Sequence, residues 1–481
     1  MKGVKLSEII EKPVDPNAQL SDMQSFPLRG VIIILIAAVL SFGLFYVLPY
    51  EANTNKGLCM LFFIAILWVS EAVHITITAL MVPIIAILIG IGSYAKDGSF
   101  KALSFKDALA GFSSPTIYLF FGGFALATAL HIQKLDKKIA VKIISLAGNN
   151  LGIAVISLCV VTALLSMWVS NTGVAAMMLP LALGLLGAVD KEKDRSTFVF
   201  VLLGVAYSAS IGGLGTMVGS PPNALAGQAL NFTFVDWMKI GLPMVIIFMP
   251  LMFIILYFVL RPNLNRKIEF EAEYIPWNRA RILTTIVFVC TALLWLLAKP
   301  ISGLVGFKIA DGLVALLAAA FIVVLGLATW RDIAENTDWG VLLLFGGGLA
   351  LSAILEMSGA SKVLGETVAG VVAGLPKIII IFIVAIFVIA LTEFTSNTAS
   401  AALLLPVFAS VAAEVGLPKE TLTIIIGIGA SCAFMMPVAT PPNAIVFGTG
   451  HIKQIEMIKC GVALCLSCAV ILTLVTYLFY A

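Results

Sequence analysis

Long apolar runs separated by short polar punctuation dominate the chain. Val31–Tyr50 has the length of about 20 residues that crosses a bilayer as one helix, and Pro49 with the polar stretch Glu51–Lys56 ends it. Gly57–Ser70 and Ile75–Gly92 read as two further spans joined by a tight corner at Glu71–His74. A charged amphipathic stretch, Tyr94–Ala110, then leads into a span over Pro115–Leu130. In the lysine-rich segment that follows, Leu135, Ile139, Ile143 and Leu146 recur at helical spacing. That pattern predicts a helix lying in the membrane interface.

Two segments do not fit simple spans. Asn150–Ala188 is apolar but carries Ser166-Met167-Trp168-Val169-Ser170-Asn171-Thr172 at its centre, which predicts a re-entrant hairpin closed by the loop Asp190–Arg195. Irregular backbone at that depth is tolerated where it is buried in protein or lines a cavity. Thr197–Asn231 is broken by Gly212-Gly213-Leu214-Gly215 and by Gly219-Ser220-Pro221-Pro222-Asn223. Two successive prolines cannot continue a helix, so the helix is expected to unwind there and resume at Ala224. Met238–Leu260 is a further span, ended by Arg261-Pro262.

The second half repeats this order. Thr329-Trp330-Arg331-Asp332 echoes Ser104-Phe105-Lys106-Asp107, and Phe345-Gly346-Gly347-Gly348 echoes Phe120-Phe121-Gly122-Gly123. Thr392-Glu393-Phe394-Thr395-Ser396-Asn397-Thr398 lies 226 residues after its partner, and Ala439-Thr440-Pro441-Pro442-Asn443 lies 220 after its own. Each Ser-Asn-Thr is followed by a proline eight residues past its threonine, Pro180 and Pro406. Paired interruptions in an internal repeat point to a transporter's binding site. The expected fold is an all-α polytopic membrane protein with about eleven transmembrane helices and two re-entrant hairpins, the second over Lys377–Ala413, in an inverted repeat.

Composition narrows the class. Of 481 residues, 61% are hydrophobic and 11% charged, with mean hydropathy +1.09. A soluble domain carries about 25% charged residues, so this chain belongs in a membrane. A net charge of +3 is too small and dispersed for a nucleic-acid partner. The seven cysteines lack CxxC spacing and read as small buried hydrophobes rather than disulfides or a zinc site. Residues 1–30 show no signal peptide. With the N-terminus cytoplasmic, 19 of the 29 Lys and Arg fall on the inner side. The first hairpin then enters from the cytoplasm, the second from outside, and the C-terminus is extracellular.

A hairpin tip in mid-membrane presents the N-terminus of its second helix, with free amides and partial positive charge. Two such tips meeting would offer donors to both ends of a small dianion. Carbonyls freed at each tip and each Pro-Pro break, with Asn and Ser/Thr oxygens, suit a hard cation. No Lys, Arg or His occurs between Leu151 and Gly187, Val199 and Asn231, Ile378 and Ala413, or Leu422 and Gly450, so a dianion needs co-bound cations. An oxygen-only site favours sodium. Glu393 reads as a structural hydrogen-bonding group rather than a proton carrier. A channel needs a continuous pore. An enzyme would have only His74, His131 and His451, all at span ends and without a nucleophile or metal motif.

The doubled Ser-Asn-Thr, each partnered by Pro-Pro-Asn, resembles the divalent anion/sodium symporter family, which includes bacterial dicarboxylate transporters. The resemblance covers the chain from about residue 31 to the end. It implies a homodimer in the cytoplasmic membrane, working by an elevator motion of a transport domain against a scaffold. On that pattern residues 1–30 form a cytoplasmic segment, 31–149 and 261–376 the scaffold parts of the two repeats, and 150–260 and 377–481 the transport parts. It implies that Ser170, Asn171, Thr172, Ser396, Asn397 and Thr398 hold the substrate carboxylates, with Ser220, Pro221, Thr440 and Pro441 lining the same cavity. One sodium site maps onto Ser166, Ser170, Asn171 and Gly219, the other onto Thr392, Thr395, Asn397 and Ala439. Gly173 replaces the family's usual Ala. Val174 stands where the exchanger branch tends to carry Arg, which favours sodium-coupled symport of C4 dicarboxylates such as succinate, malate and fumarate. Exchange of dicarboxylate or citrate, and transport of sulfate, are the alternatives on the same fold.

Overall fold

The computed structural model describes residues 28–94, 99–148, 150–187, 189, 194–266, 274–307 and 309–481. Most of the expected segment 1–30, and the loop Asp190–Arg195 before Asp194, lie outside the described residues.

The chain opens with α1 (Leu28–Val47), α2 (Ala52–Ser70) and α3 (Ile75–Leu88). The corner between α2 and α3 forms because Glu71 takes a left-handed conformation, φ 46°, and His74 accepts from the Thr76 amide to start α3. The amphipathic stretch expected from Tyr94 begins instead as a two-stranded antiparallel ribbon, β1 (Gly92–Tyr94) on β2 (Phe100–Ala102). Gly90, φ 65°, turns the chain out of helix, and the Asn53 side chain then clasps Gly92 through both its amide and its carbonyl. A short α4 (Phe105–Ala108) and a 3-10 turn lead to α5 (Pro115–Ile132), which Ser114 caps and Pro115 begins.

The expected interfacial helix is present as α6 (Leu135–Ser145). Leu135, Ala140, Val141 and Ile144 face the protein, while Ile139 and Leu146 are exposed, so its apolar surface is shared between two environments. The first hairpin is α7 (Leu151–Ser166) turning back as α8 (Asn171–Leu186). Then come α9 (Arg195–Gly213), buried along almost its whole length, and α10 (Pro221–Ala229). The helix therefore resumes at Pro221, three residues earlier than the sequence suggested. Pro221 and Pro222 sit at the first two helical positions, where a missing amide hydrogen costs nothing. α11 (Phe234–Leu260) starts with a Thr233–Asp236 capping box.

The second half runs α12 (Arg279–Leu296), α13 (Ala298–Val305), α14 (Asp311–Val324), α15 (Trp330–Asn336), α16 (Trp339–Ser358) and α17 (Ala360–Val371). The second hairpin is α18 (Lys377–Thr392) with α19 (Asn397–Glu414). The second broken helix is α20 (Lys419–Gly429) with α21 (Pro441–Phe447), and α22 (Gln454–Tyr480) closes the chain. Nine described helices are long and apolar enough to cross a bilayer. One of them, α19, is a hairpin arm; the shorter α3 and α14 and the broken α20–α21 complete eleven passes.

The two halves interlock. α5 packs on α14 while α3 packs on α16. The crossings are equivalent and close: a Cβ on Gly122 would collide with the Ala315 backbone, and one on Gly347 with Ala79. The broken helices exchange partners too, α10 lying on α19 and α20 and α21 on α8 and α9. This exchange brings four polar stretches, far apart in sequence, to one centre.

Candidate functional site

Each hairpin turns through four residues between its arms. Ser170 caps α8 by accepting from the Gly173 amide at 3.2 Å, and Ser396 caps α19 by accepting from the Ala399 amide at 3.5 Å. Asn171 and Asn397 are thus the first helical residues, beside the unpaired amides and positive dipole end of their helices.

The broken helices are held by the asparagine of each Pro-Pro-Asn. Asn223 Nδ2 donates to the Gly213 carbonyl at 2.8 Å and to that of Thr216 at 2.7 Å. Asn443 Nδ2 makes the same pair ten and seven residues back, to Ala433 at 3.3 Å and Met436 at 3.1 Å. Ser220 and Ser431 join the two turns, hydroxyl to hydroxyl at 3.0 Å. Beyond that the halves differ. The second turn is pinned by Glu393, which is 0% exposed. Its Oε1 accepts from the amides of Phe434 (2.7 Å) and Met435 (2.9 Å), and Oε2 from that of Met436 (2.9 Å). Three consecutive amides on one carboxylate make a backbone anion nest. At the equivalent place in the first repeat stands Met167, whose backbone carbonyl accepts from the Thr216 hydroxyl, while Trp237 Nε1 donates to the Leu214 carbonyl at 3.0 Å.

Both tips and both Pro-Pro turns face one cavity of about 720 Å³. All ten residues expected around substrate line it: Ser170, Asn171, Thr172, Ser220 and Pro221 from one repeat, Ser396, Asn397, Thr398, Thr440 and Pro441 from the other. Of the two expected sodium sets, Ser170, Asn171, Gly219, Thr395, Asn397 and Ala439 also reach the wall, while Ser166 and Thr392 are fully buried and do not line it. Sequence reasoning missed Arg29, Glu71 and Asp338, which border the cavity from α1, the α2–α3 corner and the start of α16. The lining thus holds one cation against two carboxylates, and no net positive charge answers a dianion. Their only signal in sequence is their place at span ends. Phe394 and Val438, 73% and 80% exposed, present apolar surface to the same space.

A second cavity of about 500 Å³ touches Ser170, Thr172, Gly173 and Val174 and runs along α5 past His131, Asp136 and Glu335. Its counterpart under the repeat, about 470 Å³, lies between α10, α16 and α19 and reaches Glu356 and Lys419.

One atom of the Asn171 amide points back into the protein. It lies 2.6 Å from Ser166 Oγ, 3.1 Å from the Ala209 carbonyl oxygen and 3.2 Å from that of Gly219. As nitrogen its two hydrogens can serve two of the three; as oxygen it completes a cage of acceptors that a cation would hold together. The Ala209 carbonyl was not foreseen. In the second set Asn397 Oδ1 is buried and, among the described residues, has no hydrogen-bond partner. Thr395 Oγ1 is nearby in sequence but shared with Ser400 Oγ at 2.6 Å and the Leu391 carbonyl at 2.9 Å. The cage around Asn171 has the oxygen donors that an oxygen-seeking cation uses, and in the second half the unpartnered Asn397 Oδ1 is the matching feature.

An inverted, interlocked bundle with two re-entrant tips on one cavity defines a multi-pass membrane transporter, not an enzyme. The solved structures of the YdaH transporter of Alcanivorax borkumensis and of MtrF from Neisseria gonorrhoeae share the fold, with TM-scores of 0.57 and 0.55. They cover 85% and 83% of this chain and 99% and 94% of their own, at 14% and 12% identity. The chain itself belongs to the sodium:sulfate symporter family, whose transmembrane region matches residues 29–481. It is 56% identical over 460 residues to an uncharacterized transporter of Haemophilus influenzae, covering 94% of this chain and 97% of that one. It is 32% identical over 487 residues to the sodium-dependent dicarboxylate transporter SdcS of Staphylococcus saprophyticus, covering 93% of this chain and 91% of that one.

Proposed function

We propose that the protein imports C4 dicarboxylates such as succinate, malate and fumarate together with sodium, across the cytoplasmic membrane. The observation that carries this reading is the pairing of donors and acceptors at each tip. Helix-start amides and Ser/Thr hydroxyls of residues 170–172 and 396–398 face a shared cavity. Behind them, the amide of Asn171 sits among oxygens, and Asn397 Oδ1 lacks a donor. Anion and cation then meet on the same two asparagines. Sodium beside Ser166, Ser170, Asn171 and Gly219, and beside Thr392, Thr395, Asn397 and Ala439, supplies the charge that the lining lacks. The sodium-dependent dicarboxylate relatives, at about a third identity along nearly the whole chain, support the same cargo.

The motion we infer is an elevator. The first hairpin and the broken helices pack largely on one another, α3 packs on α16 and α5 on α14, and α19 is the hairpin arm that also lies against α16 and α17. Residues 150–260 and 377–481 then move as a unit against 31–149 and 261–376, in a homodimer with cytoplasmic N-termini and extracellular C-termini. The cavity beside α5, which reaches Ser170 and Thr172, is a route by which the site empties and fills. The test is uptake of labelled succinate into proteoliposomes with no internal dicarboxylate. Accumulation on applying external sodium is expected. Uptake that needs preloaded dicarboxylate and ignores sodium would make the protein an exchanger, and uptake of sulfate in preference to succinate would change the cargo.

A further inference from the structure

We propose that the groove between α6, α7 and α12 binds an anionic phospholipid, and that its acyl chain braces the first hairpin tip. The groove encloses about 830 Å³, within the ~300–1,000 Å³ of ordinary ligand sites. Its composition changes with depth. On the α6 side stand Lys138, Lys142 and Ser145, flanked by Tyr274 and Trp277. Along α7 the wall becomes apolar through Val161, Leu164 and Leu165 to Trp168, and Phe288 of α12 faces them. At 1.5 Å per residue the α7 wall from Val161 to Trp168 is about 10 Å long.

The polar end suits a phosphate headgroup. Lys138 Nζ donates to the Ile275 carbonyl and lies 4.7 Å from the centre of the Trp277 ring and 6.0 Å from that of Tyr274. An ammonium has three hydrogens, so one bond to Ile275 leaves others for an anion. Lys142 is exposed at the same rim. Tyr274 and Trp277, 86% and 56% exposed, have the amphipathic character of residues at a membrane interface. A free phosphate would satisfy the lysines and leave the apolar wall unused. A zwitterionic lipid would fill the wall and gain less from two ammonium groups. A single ligand with a negative head and an alkyl chain uses both ends.

The deep end gives this site a consequence. Trp168 closes the groove two residues before Ser170, and its ring stacks 5.9 Å from Phe234 and 6.4 Å from Trp295, with Phe288 edge-on at 5.1 Å. A chain lying along α7 therefore packs on the ring that ties the tip to α11 and α12. The binding site stands by itself, whereas its effect on uptake rests on the transport function proposed above.

Binding is tested on the full chain in detergent by native mass spectrometry, titrating phosphatidylglycerol against phosphatidylcholine of the same chains. Phosphatidylglycerol adducts are expected at least tenfold in excess. Lys142→Ala should weaken them about fivefold, the effect of one cation near an anionic headgroup. Leu164→Trp, filling the groove from an exposed position, should remove them while the melting temperature stays at the parent value. Equal adducts of the two lipids, an unaffected Lys142→Ala, or displacement by millimolar inorganic phosphate would each overturn the site. In proteoliposomes, uptake by the parent should depend on the phosphatidylglycerol fraction and uptake by Leu164→Trp should not. Adducts with no effect on a working transporter would overturn the coupling alone. Absence of succinate uptake in every lipid, with adducts intact, would instead count against the transport reading.

Discussion

Replacing Glu393 with glutamine asks whether this buried carboxylate is an anchor or a proton carrier. The side chain has the same shape but one oxygen becomes an amide nitrogen. Its remaining oxygen can keep the two amides of Phe434 and Met435, and the new NH2 group then faces the Met436 N–H, donor against donor. A charge-assisted bond worth about 1.5–3 kcal/mol is lost, and an amide left without an acceptor costs about 1–3 kcal/mol more. Removing a buried charge returns part of its desolvation cost, so a net loss of about 1–3 kcal/mol is expected. The loss falls on the turn that precedes Ala439 and the Pro-Pro start of α21, which is also gripped by Asn443. If about 1.4 kcal/mol of it is drawn from sodium binding, half-saturation by sodium rises about tenfold. The assay is succinate uptake in proteoliposomes across a sodium titration at pH 6, 7 and 8, with a melting curve on the same preparation. The expected result is a lower melting temperature, weaker sodium dependence and a pH profile parallel to that of the parent. A variant with the parent's stability and sodium response, but with its pH dependence abolished, would refute the anchoring role.

Asn171→Ala and Asn397→Ala should each abolish uptake. Each truncation removes an amide that can serve anion with its nitrogen and cation with its oxygen, at roughly 1–3 kcal/mol per lost partner; parent-like sodium-dependent uptake by either would disprove the doubled site. Arg in place of Val174 should weaken the sodium requirement of uptake by supplying a permanent positive charge on the cavity that Ser170 and Thr172 also line; an unchanged sodium curve in a folded variant would contradict this. Gly347→Val should lower the melting temperature by overpacking α16 against Ala79, at about 1–3 kcal/mol, and a neutral result would mean that the helices can separate there. Cysteines at Lys134 and Lys419 should label from opposite sides of sealed vesicles, the first from the cytoplasm, and labelling from one side would remove the inverted repeat.

The hydrophobic pattern alone carried most of the architecture, because in a bilayer each span must satisfy its own backbone within one apolar run. The duplication was legible for a related reason. Residues that interrupt such runs are few, and their order and spacing survive as Ser-Asn-Thr and Pro-Pro-Asn. What the pattern could not carry was partner choice. That α3 meets α16 and α5 meets α14 depends on glycines packing against another helix's backbone, and any glycine in an apolar run looks alike in sequence. Arg29, Glu71 and Asp338 read as ordinary span-end charges until the fold brings them to the cavity. Asn223 and Asn443 read as part of a break, whereas the tertiary structure makes them its ties. The asymmetry between Glu393 and Met167 also belongs to the third dimension. The letters showed that the repeats differ there, but only the packed turns show that the carboxylate accepts from three backbone amides in one half, whereas in the other a threonine hydroxyl and a tryptophan N–H donate to backbone carbonyls.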